Sequence, residues 1–393
     1  MYDSSTGIIR NYINPLIGEL PMQSVTVKTV DIFIHDLHRT RSAAEKYHAV
    51  KQDYISDSQV EKVFKLARCA FNQAVRWNVI QQNPFNQANL CKAKCREREI
   101  WDAETIRKAL DACRDANLYV CMNLSFACSL RIGEILGLTW NNVHISEQEI
   151  RDDDAWLYIA QELARVKRSA LAALNNKNIY HIFPAWTGKT TSTVLVLKKP
   201  KTDSSIRRVW IPKTVAYVLQ ELRKNQLHQI ELAGCDYTDY NLVIAFPNGH
   251  PCEEKRINQA FTKLKAEAKL PDVVFHSLRH SSATYKLKLN HGDLKATQGD
   301  TGHAEIDMLT KVYAHILDAD RKITAQRFEE AFYQPQDSPE QKDNSSSSPD
   351  IAALIAQIQQ YPELGKILSD VLAKQASTDE NTENSNGNLS DSE

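Results

Sequence analysis

The chain has 393 residues with 48 Lys and Arg against 49 Asp and Glu, which gives a formal net charge of −1. This length exceeds what one hydrophobic core usually organises, so at least two domains are expected. No run approaches 18 consecutive apolar residues, which argues against a membrane span. The first twenty residues also lack the basic region and apolar block of a secretory signal.

The charge is distributed unevenly along the chain. Residues 335–393 contain 3 Lys and 11 Asp and Glu, a net charge of −8, which leaves 45 basic and 38 acidic residues, a net charge of +7, in 1–334. The acidic, Ser- and Asn-rich tail is predicted to be largely disordered, with one candidate helix at 350–374. The basic body permits a polyanionic partner such as nucleic acid but does not require one.

The eight cysteines are scattered and lie mostly in apolar surroundings. This pattern predicts buried, reduced thiols and a cytoplasmic protein. Cys91 and Cys95 flank a KAK tripeptide, but no partner with zinc-ligand spacing accompanies them, so no metal site is predicted.

Residues 5–80 read as helical, most clearly over 57–80, where apolar residues recur at steps of three and four. Asn83-Pro84 ends the helical pattern, and the mixed charges of 91–100 predict an exposed linker. Residues 1–90 are therefore predicted to form a first, helical domain. The polar face of the 57–80 helix is either a solvated surface or a contact surface for the DNA backbone, and its basic residues are Lys62, Lys65, Arg68 and Arg76.

Residues 101–334 are predicted to form a second, mixed domain. Asp102 is placed to cap its first helix. Arg207 and Arg208 lie in a predicted strand, whose alternation sends the two side chains to opposite faces. The remaining predicted elements are a helix at 117–129, strands near 142–146, 193–197 and 206–211, a charged helix over 156–176, helices near 213–226 and 254–268, and a mostly helical stretch from 276 to 334.

Four short segments of this second domain carry residues that suit phosphate chemistry. Taken singly, each has an ordinary explanation: a surface ion pair, a solvated lysine, a helix cap with an exposed arginine, and a tyrosine in a core. The segments are SLRIGEILGLTW with Arg131 and Glu134, KKPKTDSSIRRVWIP with Lys201 in a predicted hairpin turn, FHSLRHSSATY with His276 and Arg279, and DTGHAEIDMLTKVYAH with His303 and Tyr313.

Together, in residue type and order, these segments resemble the tyrosine recombinase (phage-type integrase) family. The resemblance covers about 100–330 as the catalytic domain, and more weakly 5–90, which is similar to the helical core-binding (SAM-like) domain of that family. It implies a mainly α fold with a small β-sheet, an α+β catalytic domain, and two domains that form a C-shaped clamp on duplex DNA.

The chemistry of a phosphodiester is consistent with this resemblance. Two arginines can each present a guanidinium fork to the non-bridging oxygens and spread the developing charge without a metal ion. The resemblance implies that Tyr313 is the nucleophile of a 3′-phosphotyrosyl intermediate, His276 the base and Lys201 the acid. It further implies that His303 is an additional donor and that Glu134 orients Arg131. No cofactor, metal or ATP is expected.

The resemblance also implies partners and a biological setting. The expected partners are double-stranded DNA attachment sites, a tetramer of the chain on two such sites, and excision or host DNA-bending factors. The tetramer would use a helix at about 318–333 to pack on a neighbour. The leading interpretation is a bacterial or phage-encoded cytoplasmic integrase of a mobile element. The alternatives are a Xer-like dimer resolvase, a type IB topoisomerase, a non-catalytic DNA-binding relative and an interaction protein that acts through its tail helix.

Overall fold

The computed structural model describes residues 2–43, 53–90, 99–185, 191–290, 293–295 and 297. Within these residues, none of the helices combines the length and the apolar character needed to cross a membrane. The predicted linker 91–100 falls mainly outside the described residues. So do His303, Tyr313, the predicted helix at 318–333 and the candidate tail helix at 350–374.

The N-terminal part of the chain is helical. A π-helical turn, Ile9–Ile13, links the first two helices. Thr26 caps the third helix by accepting a hydrogen bond from the Thr29 N–H, and Ser56 caps the fourth through Gln59 N. The helices are α1 (Tyr2–Ile8), α2 (Asn14–Ile17), α3 (Val27–His38) and α4 (Asp57–Arg76).

One apolar cluster, drawn from residues 12–85, holds these helices together. Phe85 lies at its centre, with ring centroids 4.8 Å from Phe71, 5.4 Å from Phe64 and 6.1 Å from Phe33. Such aromatic contacts are favourable at these separations beyond the area they bury. A second, separate cluster is drawn from residues 101–278. The domain boundary at 91–100 stays a prediction.

The part of the chain that forms the second cluster begins with three helices, which are α5 (Ala103–Ala112), α6 (Ala116–Ala127) and α7 (Ile132–Leu136). Asp102 caps α5 as predicted, because its carboxylate accepts a hydrogen bond of 2.8 Å from Thr105 N. The later helices are α8 (Glu147–Arg151), α9 (Arg168–Ala173), α10 (Lys213–Ala233), α11 (Glu254–Glu267) and α12 (Ser277–Leu289). α6 is apolar on most of its circumference and packs against helices α7, α10, α11 and α12, so it forms the centre of this part of the molecule.

Two small antiparallel sheets accompany these helices, which confirms the predicted mainly α fold and adds a second sheet to it. The strands are β1 (Val143–His144), β2 (Trp156–Ile159), β3 (Glu162–Lys167), β4 (Ile179–Ile182), β5 (Thr193–Lys198) and β6 (Arg207–Trp210). The first sheet has the order β1-β2-β6 and the second the order β3-β5-β4. Leu157 of β2 faces Val209 of β6, and both are buried.

The sheets correct two predictions. The charged helix predicted over 156–176 is wrong, since Trp156–Ile159 and Glu162–Lys167 form β2 and β3 and only Arg168–Ala173 is helical. Pairing with the apolar strand β5 and with β6 overrides the local helical preference. The predicted hairpin is also wrong, because β5 and β6 belong to different sheets, and Lys201 lies in the connection between them.

Candidate active site

Arg131 is positioned by a tight turn between α6 and α7. Ser129 adopts a positive φ of 53°, which is uncommon for a residue other than glycine, and it redirects the chain after α6. Arg131 then stands at the N-terminus of α7, where its backbone N–H donates to Glu134 Oε2 at 3.0 Å. Its guanidinium Nη1 donates to Glu134 Oε1 at 2.8 Å, so one carboxylate holds both the backbone and the side chain of Arg131.

A second arginine holds the same carboxylate. Arg207 of β6 donates from Nη1 to Glu134 Oε1 at 3.3 Å and from Nη2 to Oε2 at 3.2 Å. Only 1% of the Glu134 side chain and 10% of the Arg207 side chain are exposed. Burial opposes ionisation of Glu134, but the charge and hydrogen bonds of Arg207, together with Arg131, lower its pKa below the ordinary value. The carboxylate is therefore ionised at neutral pH.

Arg279 enters the site from α12 and is almost completely buried. Its Nη1 donates to the carbonyl oxygen of Ser129. The Ser129 hydroxyl is 2.6 Å from that of Ser282, also on α12, so the turn that places Arg131 is bonded directly to the helix that carries Arg279. Burial, followed by the charge of Arg131, lowers the pKa of Arg279 to about 9.

The resulting cluster contains three guanidinium groups and one carboxylate. The charges of Arg131 and Arg207 both act on Arg279, and Glu134 opposes them. An excess of positive charge in a largely buried site is unfavourable until an anion enters it. Guanidinium groups match the oxygens of phosphate in two-point geometry, so the cluster suits a phosphodiester.

Lys201 lies on an exposed part of the connection between β5 and β6. Within the described residues its ammonium has no hydrogen-bond or ion-pair partner. By contrast, the neighbouring Lys199 is paired with Asp203 at 2.7 Å, and Lys198 is paired with Glu162. The connection itself is bonded to the arginine cluster, because Arg131 Nη1 donates to the Ser205 hydroxyl at 3.3 Å. The structure thus places the Lys201 segment next to Arg131.

His276 occupies the position that precedes the first turn of α12, three residues before Arg279. It is half-buried, and its ring lies 4.8 Å from that of His280 in an edge-to-face arrangement. The structure therefore brings together Arg131, Glu134 and Arg279, and it places His276 on the helix that carries Arg279. His303 and Tyr313 lie outside the described residues.

The basic residues proposed for DNA contact lie on the exposed side of α4. Lys65 is paired with Glu61 at 2.6 Å, and the Arg68 guanidinium lies 5.9 Å from the Phe64 ring centroid. A role in DNA contact stays a prediction for all four residues, which are Lys62, Lys65, Arg68 and Arg76.

Two residues of the site were not singled out as functional from the sequence: Ser129 and Ser205. Strand alternation did predict that Arg207 and Arg208 point to opposite faces, and this is confirmed. Arg207 meets Glu134, whereas the guanidinium of Arg208 lies on the exposed face, 4.0 Å from the Trp156 ring centroid. The local sequence does not show that Arg207 faces Glu134, because these two residues are 73 positions apart.

Acidic, His and Cys side chains do not form a metal-binding group of three or more anywhere in the described part of the chain.

Comparisons with known proteins identify the family of the chain. Residues 100–320, more than half of the chain, match the model of the phage integrase family. The chain is 25% identical over 280 residues to a protein named tyrosine recombinase XerC-like from Caldanaerobacter subterraneus subsp. tengcongensis, over 69% of this chain and 66% of that protein. It is 19% identical over 317 residues to the ICEBs1 integrase of Bacillus subtilis, over 77% of this chain and 73% of that one.

Among solved structures, the Tn1549 transposon integrase in complex with a circular intermediate DNA matches with a TM-score of 0.60 at 16% identity. The match covers 84% of this chain and 94% of that one, which shows a shared fold. The matched part of the chain spans just under two thirds of the length of the XerC-like relative. The chain belongs to the phage integrase family of tyrosine recombinases, which are enzymes that cleave and rejoin DNA.

Proposed function

We propose that this chain is a site-specific recombinase that cuts and rejoins duplex DNA through a covalent bond between Tyr313 and a 3′-phosphate. The observation that carries the proposal is the buried cluster in which Glu134 holds Arg131 beside Arg279. A cluster with this excess of positive charge is suited to one anionic group that is small enough to enter it. The scissile phosphate of DNA meets that description.

Arg131 and Arg279 act on the phosphate. Arg131, with 36% of its side chain exposed, is the accessible member, and the almost completely buried Arg279 supplies further positive charge. Charge that develops on the non-bridging oxygens during attack is stabilised by donors already in place, and the low exposure of the site strengthens their effect. Glu134 contributes by fixing the orientation of Arg131 and does not touch the phosphate.

The bond changes balance as a transesterification. The Tyr313 oxygen forms a bond to phosphorus while the bond from phosphorus to the 5′-oxygen breaks. The phenol has an ordinary pKa near ~10 and loses its proton to His276, while the leaving 5′-oxygen takes a proton from Lys201. His303 donates a further hydrogen bond. Because the phosphotyrosine keeps the bond energy, a 5′-hydroxyl of another strand can reverse the attack without ATP.

The wider proposal follows from the family and from the relatives. The partners are double-stranded DNA attachment sites held in a clamp of the two domains, with four copies of the chain on two sites and with excision or host DNA-bending factors. The integrase names of the ICEBs1 and Tn1549 proteins support integration or excision of a mobile element in a bacterial or phage-infected cytoplasm. The XerC-like relative supports a dimer resolvase as the alternative.

The test begins by finding the DNA site. A library of duplexes with a randomised central segment and a nick in one strand is incubated with the full chain. The nick lets the short 5′-hydroxyl fragment diffuse away, so covalent complexes accumulate. We expect wild-type protein to capture duplexes that share a core sequence, and Tyr313→Phe to capture none. Tyr158→Phe, which removes the hydroxyl of an exposed tyrosine on β2, is the matched control and should capture as wild type does.

Persistence of the covalent complex in Tyr313→Phe would overturn the nucleophile assignment, and absence of capture by wild type would overturn the proposed function. The metal-free mechanism has a separate test. Cleavage of the recovered duplex should proceed at an unchanged rate in EDTA, and strict dependence on a divalent ion would contradict the two-arginine mechanism.

The recovered site also separates the two biological alternatives. A plasmid with two directly repeated copies of one site tests for resolution. Integration is tested with two different sites, which have the same core sequence and lie on separate DNA molecules. We expect joining of the different sites, and exclusive resolution of identical sites would favour the dimer resolvase.

A further inference from the structure

The connection between β5 and β6 has an exposed middle, which lies between the buried residues Pro200 and Ser205. Lys201, Thr202, Asp203 and Ser204 are all exposed, but Ser205 is only 4% exposed. Serine is mostly found at protein surfaces, so a buried serine in a connecting segment needs hydrogen-bond partners. These partners show what the segment is attached to.

The Ser205 hydroxyl lies between the lysine segment and the arginine cluster. It accepts a hydrogen bond from Arg131 Nη1 at 3.3 Å, and it lies 2.9 Å from the hydroxyl of Thr202, where either oxygen can donate. Thr202 directly follows Lys201. One hydroxyl with one proton and two lone pairs can serve both partners at once.

The backbone of Ser205 is also hydrogen-bonded both to the lysine segment and to the arginine cluster. Its N–H donates to the carbonyl of Thr202 at 3.0 Å, which closes a single 3-10 turn over Asp203–Ser205. Its carbonyl oxygen accepts from Arg207 Nη1 at 2.9 Å, and Arg207 is itself bonded to Glu134. The buried Arg207–Glu134 pair therefore supplies a fixed support for Ser205.

The connection has two other contacts before and across the exposed stretch. At its start, the Lys199 N–H donates to the carbonyl of Asn178 at 2.9 Å, which holds the chain before Lys201. The ion pair of Lys199 with Asp203 is formed on the surface, with 37% and 88% of the two side chains exposed. Exposed pairs of this kind contribute little to holding a loop in place. Ser205 is thus the buried polar residue that links the exposed stretch 201–204 to Arg131.

We propose that Ser205 is a positioning residue that fastens the segment bearing Lys201 to Arg131, so that the ammonium donor and the phosphate-binding arginine keep a fixed separation. The proposal rests on the proposed function and adds a residue to it. The acid step transfers a proton from the Lys201 ammonium to the 5′-oxygen as the bond from phosphorus to that oxygen breaks. Because displacement of a catalytic group by about 1 Å can lower a rate roughly 100-fold, loss of this attachment should weaken the acid step.

The experiment compares two leaving groups on the recovered nicked duplex. One duplex has the ordinary 5′-oxygen at the scissile phosphate, and the other has sulfur in that bridging position. A thiol has a pKa near 8.5, far below the value of about 15.7 for water, so a thiolate leaves without a proton. The sulfur duplex therefore bypasses the acid step, while attack by Tyr313 and binding by Arg131 are still required.

We expect Ser205→Ala to lower the rate of covalent-complex formation roughly 10- to 100-fold on the oxygen duplex and less than about 3-fold on the sulfur duplex. Lys201→Ala provides the reference for complete loss of the acid. Ser204→Ala is the matched control, because Ser204 lies in the same turn and its hydroxyl bonds Thr202 at 3.0 Å, but it has no bond to Arg131. That variant should react as wild type on both duplexes.

Equal loss on both duplexes would overturn the proposal, because it would mean that Ser205 acts only through Arg131 or through folding. No loss on either duplex would overturn it as well. A reduced amount of folded protein affects both duplexes alike, so the ratio of the two rates stays informative. Failure of the function itself has a different signature, since wild type would then react with neither duplex, and failure of the lysine assignment would appear as an equal loss in Lys201→Ala.

Discussion

Replacement of Glu134 by Gln should destabilise the protein strongly, although the two side chains have nearly the same shape. Glu134 is 1% exposed and accepts four hydrogen bonds, two from Arg131 and two from Arg207. Glutamine keeps one oxygen acceptor, but its NH2 group would face donors and its neutral amide would leave the buried arginines without their counter-charge. Loss of one partner of a buried ion pair costs about 3–5 kcal/mol.

Urea unfolding followed by tryptophan fluorescence measures this loss. With an m-value of roughly 3 kcal/mol per molar urea, the midpoint should fall by about 1–1.7 M. The matched control is Glu253→Gln, which removes the same charge from a two-point pair with Arg165 on the surface, where 37% of Glu253 is exposed. The free energy of unfolding of Glu253→Gln should be within about 1 kcal/mol of the wild-type value. Equal effects of the two substitutions would refute the view that burial makes the Glu134 carboxylate structurally essential.

The ion pairs of Glu134 with Arg131 and Arg207 also predict how the stability of the protein changes with pH. The pKa of Glu134 is lowered in the folded protein, so the unfolded chain takes up a proton at higher pH than the folded protein does. The stabilisation is fully present above the ordinary pKa of 4.5 and is lost as the pH falls through the lowered one. The stability difference between wild type and Glu134→Gln should therefore shrink in acid, and a difference that is constant down to the lowest measurable pH would contradict this assignment.

Three further predictions concern other parts of the molecule. Ser282→Ala removes the buried partner of the Ser129 hydroxyl and should cost about 1–3 kcal/mol in urea unfolding, whereas a change below about 0.5 kcal/mol would show that the bond between α12 and the turn contributes little. Cys252, whose pKa burial raises to about 12, should react with iodoacetamide at pH 8 far more slowly than the exposed Cys235, and equal labelling by mass spectrometry would contradict the buried site. The four basic residues of the α4 surface are Lys62, Lys65, Arg68 and Arg76. If all four contact phosphates, their joint replacement by Gln should reduce the steepness of log K for DNA binding against log salt concentration by about 3.6. An unchanged slope would identify a solvated face.

Local features of the fold followed from the sequence because their causes are local. The apolar spacing of α4 and the cap at Asp102 depend on residues within one or two helical turns. The pairing of Arg131 with Glu134 spans three residues and could be anticipated from the segment alone. These features required no knowledge of distant contacts.

Other features depend on contacts between residues far apart in the chain and could not be predicted from the local sequence. The stretch 156–176 contains alanine, leucine and alternating charges that favour a helix, but β2 and β3 form because the later strands β6 and β5 supply pairing partners. Ser129 meets Ser282 across 153 positions, and Arg131 meets Ser205 across 74. The arginine cluster is therefore held by contacts that only the folded chain brings together.

The most direct test of the central claim is to identify the amino acid that becomes attached to DNA. The covalent complex recovered from the nicked duplex is digested with trypsin and nuclease and is then analysed by tandem mass spectrometry. The tryptic peptide of residues 312–321, VYAHILDADR, contains a single tyrosine, Tyr313. We expect a nucleotide attached through its 3′-phosphate to Tyr313, and attachment to any other residue would contradict the proposed mechanism.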